Sequence, residues 1–359
     1  GEANGGSIRH AVSKTGSAGQ AVGSSISGAD VTTDVKVASE ADMKLAATYT
    51  DWKDANGTAL VATEGGKGTP WRIYEGHTMP LLTALMKGTK RLAKVYDGNV
   101  FATTDPHITL VHTGKDVGTY DAYSDQLGYD LIGGAVIKSR VLTMSGVAAQ
   151  SKTYDGTTAA DISNFHATLN NVVSGEESLV TATATGATYN SKDVRAANTV
   201  NYTGVALGGT GAGNYTLAAS TAQGAGSITA KQLNLALTSG ARFDKTYDGN
   251  ANVTQTLTKG TNYSLTGFIG TEGDHLALAS ATGTYTAGKD AAVNKGVTFD
   301  GLTLTGTGAA NYVLDKTTLT GTGTISRRAL TLGTVAAQSK TYDGTTAADA
   351  GKFSAALTN

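Results

Sequence analysis

The chain has 359 residues, a net charge of −1, 40% hydrophobic residues and only 6% aromatic residues. A nearly neutral chain without a run of Lys and Arg lacks a surface that tracks phosphates, so we expect no nucleic-acid partner. Cysteine is absent, which excludes disulfides, thiolate chemistry and Cys-ligated metal sites.

The first 90 residues carry no internal repeat. Residues 1–65 match no pattern that we can place, and we expect them to be the end of a β-helix or a divergent β-module. One short helix is predicted near 80–87, because Pro80 lies in its first turn and Gly88 follows its end. No stretch approaches the length of a membrane span, and the first ten residues lack the basic-then-apolar pattern of a signal peptide.

A fifteen-residue block, VAAQSKTYDGTTAAD, occurs twice without change and sets the organisation of the rest of the chain. Its copies are Val147–Asp161 and Val335–Asp349, and shorter versions occur at 94–99 and 243–250. Tyr-Asp-Gly thus recurs four times, as Tyr96-Asp97-Gly98, Tyr154-Asp155-Gly156, Tyr247-Asp248-Gly249 and Tyr342-Asp343-Gly344. The last two intervals, of 93 and 95 residues (247 − 154 and 342 − 247), indicate tandem modules.

Further landmarks follow each full block in a constant order. A Gly-Glu turn begins at Val173 and Ile269, and a Lys-Asp loop at Lys192 and Lys289 has a relative at Lys115. The last landmark ends in an Asn-Tyr pair, Asn214-Tyr215 and Asn311-Tyr312. Between the landmarks, Thr and Val alternate with small residues, which predicts short half-buried antiparallel strands. Each closing Ile strand runs almost directly into the next Leu strand, so we expect stiff junctions.

These patterns predict an all-β protein with tandem β-sandwich-like modules in an elongated array, preceded by a mixed, mostly-β segment. The predicted parts are the N-terminal segment 1–90, a short divergent module 91–140 without the Gly-Glu turn (module 1), full modules 141–231 (module 2) and 232–328 (module 3), and the start of a further module, 329–359 (module 4). Only 17 residues follow Tyr342 (359 − 342), so we expect module 4 to be truncated and the chain to be part of a longer array.

The order of these landmarks resembles the YDG repeat of large bacterial surface proteins that are similar to filamentous haemagglutinin. The resemblance covers about residues 91–359, and the passage Trp71–Leu82 also looks like the one that precedes such repeats. It implies a secreted or surface-attached protein that acts in adhesion, aggregation or biofilm formation. It also implies export through an outer-membrane two-partner-secretion transporter, and it supplies no catalytic residues, so we expect no enzyme.

The Tyr-Asp-Gly block has a structural interpretation and two functional ones. In the structural one, Asp155 accepts hydrogen bonds from backbone N–H groups two residues on, Gly156 takes a positive φ and Tyr154 buries its ring. The alternatives are a calcium or sugar site at Asp155, Asp248 and Asp343, and a Lys–Asn isopeptide crosslink at the lysine before each block. Each block holds a single Asp, without the spacing of a calcium loop, so we expect no cofactor.

Other candidate sites fail on context. The odd spacing of His107 and His112 places them on opposite faces of a strand. The glycine-rich stretch 208–213 is not followed by a predicted helix, and no Gly-x-Ser-x-Gly motif occurs.

The leading functional interpretation is a structural stalk that holds a binding tip away from the cell, because a stalk needs length and tolerates copying. The runner-up is a module that binds polysaccharide or a host-surface glycan through exposed aromatic rings. The residues that would contact the glycan are Trp52, Trp71, Tyr120 and Tyr123. An enzyme is a distant third.

Overall fold

The structure, a computed structural model, describes residues 12–14, 36–54 and 56–359. Within these ranges the chain is all-β, as predicted: it forms thirty strands, and every helix is a 3-10 turn of three or four residues. The expectation for residues 1–65 falls about half outside the described residues, at 1–11, 15–35 and 55.

Where the structure describes it, the N-terminal segment contains five short strands: β1 (Val12–Lys14), β2 (Lys36–Ala38), β3 (Val61–Ala62), β4 (Trp71–Arg72) and β5 (Leu81–Leu82). Its 3-10 turns are Asp42–Lys44, Ala46–Tyr49 and Thr83–Leu85. The predicted helix near 80–87 is wrong. Leu81 and Leu82 pair with β4, and only one helical turn follows. A helix of eight residues gains too few hydrogen bonds to offset its nucleation cost, whereas a strand here gains a ready partner.

Module 1 contributes a three-stranded sheet and a two-stranded ribbon. Its strands are β6 (Thr89–Val95), β7 (Ile108–Leu110), β8 (Gly118–Tyr120), β9 (Ala122–Ser124) and β10 (Asp130–Lys138). The strand β10 is central, parallel to β6 and antiparallel to β8, while β7 pairs with β9.

Modules 2 and 3 repeat one set of nine strands. In module 2 they are β11 (Arg140–Ser145), β12 (Gln150–Thr153), β13 (Thr168–Asn170), β14 (Thr181–Thr183), β15 (Gly186–Tyr189), β16 (Thr199–Thr203), β17 (Ala206–Gly208), β18 (Tyr215–Leu217) and β19 (Thr221–Thr229). In module 3 they are β20 (Lys231–Leu237), β21 (Lys245–Thr246), β22 (Tyr263–Thr266), β23 (Leu276–Leu278), β24 (Gly283–Tyr285), β25 (Ala292–Phe299), β26 (Leu304–Gly306), β27 (Tyr312–Leu314) and β28 (Leu319–Ser326).

Module 4 adds the antiparallel pair β29 (Thr331–Val335) and β30 (Ala355–Thr358). The remaining 3-10 turns are Ile162–Asn164, Glu177–Leu179, Ala212–Asn214, Glu272–His275, Ala309–Asn311 and Ala350–Lys352.

Each full module builds an opening sheet, a closing sheet and a ribbon. The opening sheet has the order β13-β11-β18 in module 2 and β22-β20-β27 in module 3. The closing sheet has the order β12-β19-β16-β15 and β21-β28-β25-β24, and the ribbons are β14-β17 and β23-β26. These sheets are mixed, which corrects the expectation of antiparallel strands: β11 is parallel to β18, and β12 to β19. Because successive strands alternate between sheets, neighbours in a sheet are rarely hairpin partners, and the crossovers allow parallel pairs.

The chain divides into two compact units that do not coincide with the sequence modules. The first unit comprises residues up to Val147, Phe165–Thr185 and Thr203–Ala222, and the second comprises Ala148–Asn164, Gly186–Tyr202 and Gln223–Asn359. Module 2 thus places its opening sheet and ribbon in the first unit and its closing sheet mostly in the second. The buried core of the first unit combines Leu92 and Ile137 of module 1 with Leu142 and Val180 of module 2. The folded units are therefore offset from the sequence repeat.

Candidate functional site

The Tyr-Asp-Gly block forms the same turn in all four copies. In each, the lysine two residues before the tyrosine places its Nζ 2.6 to 2.9 Å from Oδ1 of the block's aspartate. Lys152 shows the full pattern, since it also donates to the backbone carbonyls of Thr157 and Ala159 at 2.9 and 2.8 Å. The aspartate in turn accepts from the backbone N–H two residues on, as Asp155 does from Thr157 at 2.9 Å. The lysine thus stabilises the turn by donating to its backbone carbonyls, and the aspartate stabilises it by accepting from its backbone N–H.

The glycine of the block has a left-handed backbone in every copy. Its φ is +78° at Gly98 and Gly156, +84° at Gly249 and +76° at Gly344. A residue with a Cβ is strained in this region, so the turn geometry requires glycine at this position.

The carboxylates of the block are committed to this turn. The hydrogen bond from the neighbouring lysine, with one from the backbone, holds the pKa of Asp97, Asp248 and Asp343 below its usual value. These ionised groups lie in different modules, and the described part of the chain contains no group of three His, Asp or Glu residues that could hold a metal ion. His107 places its Nδ1 2.9 Å from Asp125 Oδ2 instead.

The tyrosine of the block has a long-range partner. In the first unit, Tyr96 of module 1 donates its hydroxyl to Oε1 of Glu176 in module 2 at 2.6 Å. Tyr215, from the Asn-Tyr pair of module 2, donates to Oε2 of the same carboxylate at 2.7 Å. The two rings meet edge to face with centroids 5.3 Å apart, and their exposed fractions are only 1% and 4%. One carboxylate thus joins the tyrosines of two consecutive modules.

The second unit repeats this Tyr–Glu–Tyr cluster one module further along. Tyr154 of module 2 and Tyr312 of module 3 donate to the two carboxylate oxygens of Glu272 at 2.7 and 2.6 Å. Their ring centroids are 5.4 Å apart at an interplanar angle of 76°. The Tyr312 hydroxyl also accepts from the backbone N–H of Ile269 at 3.0 Å, as Tyr215 does from Val173 at 3.1 Å.

The glycine of the block also touches the next module. A Cβ added to Gly98 would lie 3.0 Å from Cγ1 of Val173, and one added to Gly156 would lie 3.0 Å from Cγ2 of Ile269. Val173 and Ile269 begin the Gly-Glu turns, whose 3-10 geometry places the glutamate against the tyrosine pair. The close approach of the two turns therefore adds a steric reason for glycine.

A second polar contact joins the same modules. Asn214 accepts from the backbone N–H of Val117 and donates to the carboxylate of Asp116, both at 2.8 Å. In the second unit, Asn311 makes the equivalent bonds to Val194 and Asp193 at 2.9 and 2.8 Å. The Asn-Tyr pair of one module thus binds both the Lys-Asp loop and the Tyr-Asp-Gly block of the module before it.

The cluster holds a charged carboxylate between neutral phenols. Hydrogen bonds from Tyr96 and Tyr215 lower the pKa of Glu176. Burial, followed by the hydrogen bond to the glutamate, raises the pKa of Tyr154 strongly and that of Tyr312 to about 12. Phenols of this kind stay protonated and act as donors, so the geometry is suited to holding two modules together.

The third and fourth tyrosines of the block lack such a partner. Tyr247 is half-buried, and its hydroxyl forms no hydrogen bond with any residue that the structure describes. Tyr342 is 93% exposed. The local turn therefore forms without the cluster, whereas the nearly complete burial of Tyr96 and Tyr154 accompanies contact with the following module.

The aromatic residues proposed to contact a glycan are all half-buried and lie in the first unit. Trp52 and Trp71 meet edge to face with centroids 5.5 Å apart. Tyr123 stacks on His77 at 4.8 Å, and the Tyr120 hydroxyl donates to the Asp116 carbonyl at 2.7 Å. The structure thus brings the two Trp residues together. A cavity of about 640 Å³ in this unit has a mostly polar, charged lining, and none of these four residues lines it.

Sequence reasoning missed the contacts between modules that Glu176, Glu272, Asp116 and Asp193 make. The available signal was their constant order within the repeat: 96 residues separate the two glutamates (272 − 176) and 97 separate Tyr215 from Tyr312 (312 − 215). If a contact recurs once per module, the residues that make it recur at nearly equal offsets along the sequence.

The fold and the site define a tandem-repeat all-β protein in which the opening turn of one module is buried by the next. The sequence model of the YDG domain matches residues 138–223 and 229–319, so the chain contains two YDG domains. No curated protein and no solved structure gives a significant match to the chain. No helix in the described ranges is long and apolar enough to cross a membrane.

Proposed function

We propose that this chain is a structural stalk, or spacer, of a secreted or surface-attached bacterial adhesin that supports adhesion, aggregation or biofilm formation. The observation that carries the proposal is the recurrence of one contact between consecutive modules, with a Tyr–Glu–Tyr cluster and an Asn–Asp pair in each unit. A stalk needs an interface that can be repeated without change. At each step these contacts bury two rings against a hydrogen-bonded carboxylate that is itself half-buried.

The covalent links between modules support the same proposal. Only Ser139 separates β10 from β11, and only Ala230 separates β19 from β20. A link of one residue between two strands leaves little freedom to bend. Short links and buried contacts together favour stiffness. Successive modules would each add about 30 Å if their longest strands, of eight or nine residues, run along the fibre.

Small-angle scattering and negative-stain imaging of the purified chain test the stalk. We expect a rod with a narrow distribution of end-to-end distances. The matched variant Glu272→Ala should broaden that distribution, while Asp274→Asn, an exposed change in the same turn, should leave it unchanged. A compact globule for the unchanged chain would refute the proposal.

Export and placement at the cell surface belong to the same proposal. They rest on the resemblance of the landmark order to exoproteins secreted by the two-partner route. Co-expression with a two-partner-secretion transporter tests them, provided that the chain carries the secretion signal of such an exoprotein at its N-terminus. Protein that stays in the periplasm despite a transporter that exports its own substrate would count against this route.

The paired Trp52 and Trp71 support a second candidate function, binding of polysaccharide or a host-surface glycan. Half-exposed indole rings are suited to packing against sugar faces. A glycan array probed with the chain and with Trp71→Ala tests this function: no binding by the unchanged chain would remove it, and equal binding by both would place the site elsewhere.

A further inference from the structure

The third Tyr-Asp-Gly block has the geometry of the first two but not their contacts. Lys245 Nζ lies 2.7 Å from Asp248 Oδ1, and Gly249 has a φ of +84°. A Cβ added to Gly249 would meet no atom within 4 Å, whereas the equivalent atom at Gly156 would touch the next module. Tyr247 is half-buried instead of 1% exposed. The turn is thus preformed, and its outer surface is open.

The module also presents the second half of this surface. In modules 1 and 2, the aspartate of the Lys-Asp loop binds the asparagine that directly precedes the tyrosine of the cluster. In module 3 the corresponding loop is Lys289-Asp290, and Asp290 is exposed. Both elements that bind the following module elsewhere in the chain are therefore present in module 3.

We propose that the surface formed by Tyr247, Gly249 and the loop Lys289–Asp290 binds a further YDG module. The partner supplies three groups: a glutamate in a Gly-Glu turn for the Tyr247 hydroxyl, a Val or Ile side chain that packs against Gly249, and an Asn-Tyr pair whose amide binds Asp290. The two clusters already formed in the chain provide the geometric precedent for each group.

The polar pattern makes this surface selective. A phenol hydroxyl donates well to a carboxylate, while a side-chain amide can donate to an aspartate and accept from a neighbouring N–H at the same time. An apolar patch alone would accept many partners, but this arrangement matches the Gly-Glu turn and the Asn-Tyr pair together. The inference does not depend on the stalk function, since a docking surface could serve any tandem array.

The exact repetition of the fifteen-residue block allows a clean test. Because Val335–Asp349 is identical to Val147–Asp161, residues 350–359 can be replaced by a copy of residues 162–231 without creating a new junction. The added segment brings copies of Glu176, Asn214 and Tyr215. Tetranitromethane, which reacts with exposed ionisable tyrosines, then reports on Tyr247 by peptide mass spectrometry, with Tyr154 as the buried internal reference.

In the unchanged chain we expect Tyr247 to be nitrated much faster than Tyr154. In the extended chain its rate should fall by about tenfold or more, towards that of Tyr154. The same extension with Glu176→Gln in the copy only should restore much of the reactivity, and Glu177→Gln in the copy should not. Unchanged nitration of Tyr247 beside a protease-resistant added module would overturn the proposal, and so would an added module that remains protease-sensitive, because docking would stabilise it.

Discussion

Removal of the Glu272 carboxylate should destabilise the second unit far more than a surface mutation does. Glu272→Ala leaves the hydroxyls of Tyr154 and Tyr312, whose exposed fractions are 1% and 5%, without their acceptor. A hydrogen bond to a charged group contributes about 1.5–3 kcal/mol to the free energy of unfolding. The Glu272 side chain is 31% exposed, so water replaces part of the loss. We therefore expect a cost of about 2–4 kcal/mol.

A double-mutant cycle isolates the contact between modules. Glu272→Gln keeps the shape but removes the charge and one acceptor, and we expect it to cost about 1–2 kcal/mol. Tyr154→Phe removes one donor from the preceding module, at a cost of about 1 kcal/mol. Since both changes disrupt the same bond, their effects should fall short of additivity by about 1 kcal/mol. The control Asp274→Asn lies two residues from Glu272 and should show no coupling.

Urea unfolding followed by circular dichroism measures these free energies, and hydrogen exchange of residues 148–164 shows where the protein loosens. The exchange readout matters because repeat proteins can unfold in stages. A cost of Glu272→Ala no greater than that of Asp274→Asn would refute the stabilising role of the carboxylate, and so would a double mutant that is additive within about 0.3 kcal/mol.

Three further predictions concern the blocks themselves. Lys245→Met should lower the free energy of unfolding, measured by thermal or urea unfolding, by about 2–3 kcal/mol. The Lys245 side chain is 3% exposed, and its loss leaves backbone carbonyls without a donor. Lys340→Met should have little effect, because the Lys340 side chain is 40% exposed. Gly156→Ala and Gly249→Ala should each lower the free energy of unfolding by about 1–2 kcal/mol, because the backbone at both positions is left-handed. Gly156→Ala should cost about 1 kcal/mol more, because the added Cβ would also meet the next module. Equal losses for the two variants would contradict that contact. The pKa of Tyr312 in the folded protein is raised from 10.0 to about 12, so its contribution to stability is present below pH 10 and is lost as the pH rises through about 12. Unfolding measured across this range should show that Tyr312→Phe loses less stability at alkaline pH than the unchanged chain does. An identical pH profile for the two proteins would contradict the assignment.

The sequence was sufficient to predict the all-β class, because each landmark recurs with turn residues at fixed positions. Strand pairing was harder to predict. The alternation of Thr and Val indicates strands, but it does not distinguish the parallel pair β11 and β18 from a hairpin, since both have the same period. The short helix near 80–87 failed for a related reason: Pro80 and Gly88 are helix boundary signals, but the pairing of Leu81 and Leu82 with β4 decided the outcome.

The candidate site was only half predictable. The hydrogen bonds of the Asp and the positive φ of the Gly belong to their own turn, so local rules were enough to predict them. The contact of Gly156 with Ile269 of the next module was not predictable in this way. The partner of the tyrosine lies 80 residues away for Tyr96 and 118 for Tyr154, in the next module. A single sequence does not indicate which residues so far apart along the chain are in contact. Module 1 carries one relevant signal, because it has a Tyr-Asp-Gly block and a Lys-Asp loop but no Gly-Glu turn. It therefore contains only the elements that bind the following module.

The offset between folded unit and sequence repeat bears on how such a gene can change in length. The identical blocks at Val147–Asp161 and Val335–Asp349 are points at which two misaligned gene copies could recombine. A crossover there adds or removes whole modules. In each recombined protein, a block with its tyrosine again precedes a module with a glutamate in its Gly-Glu turn. The new pair of neighbouring modules can therefore form the same contact at once. Variation in length then needs no compensating mutation, because the contact that must be preserved is carried by every copy.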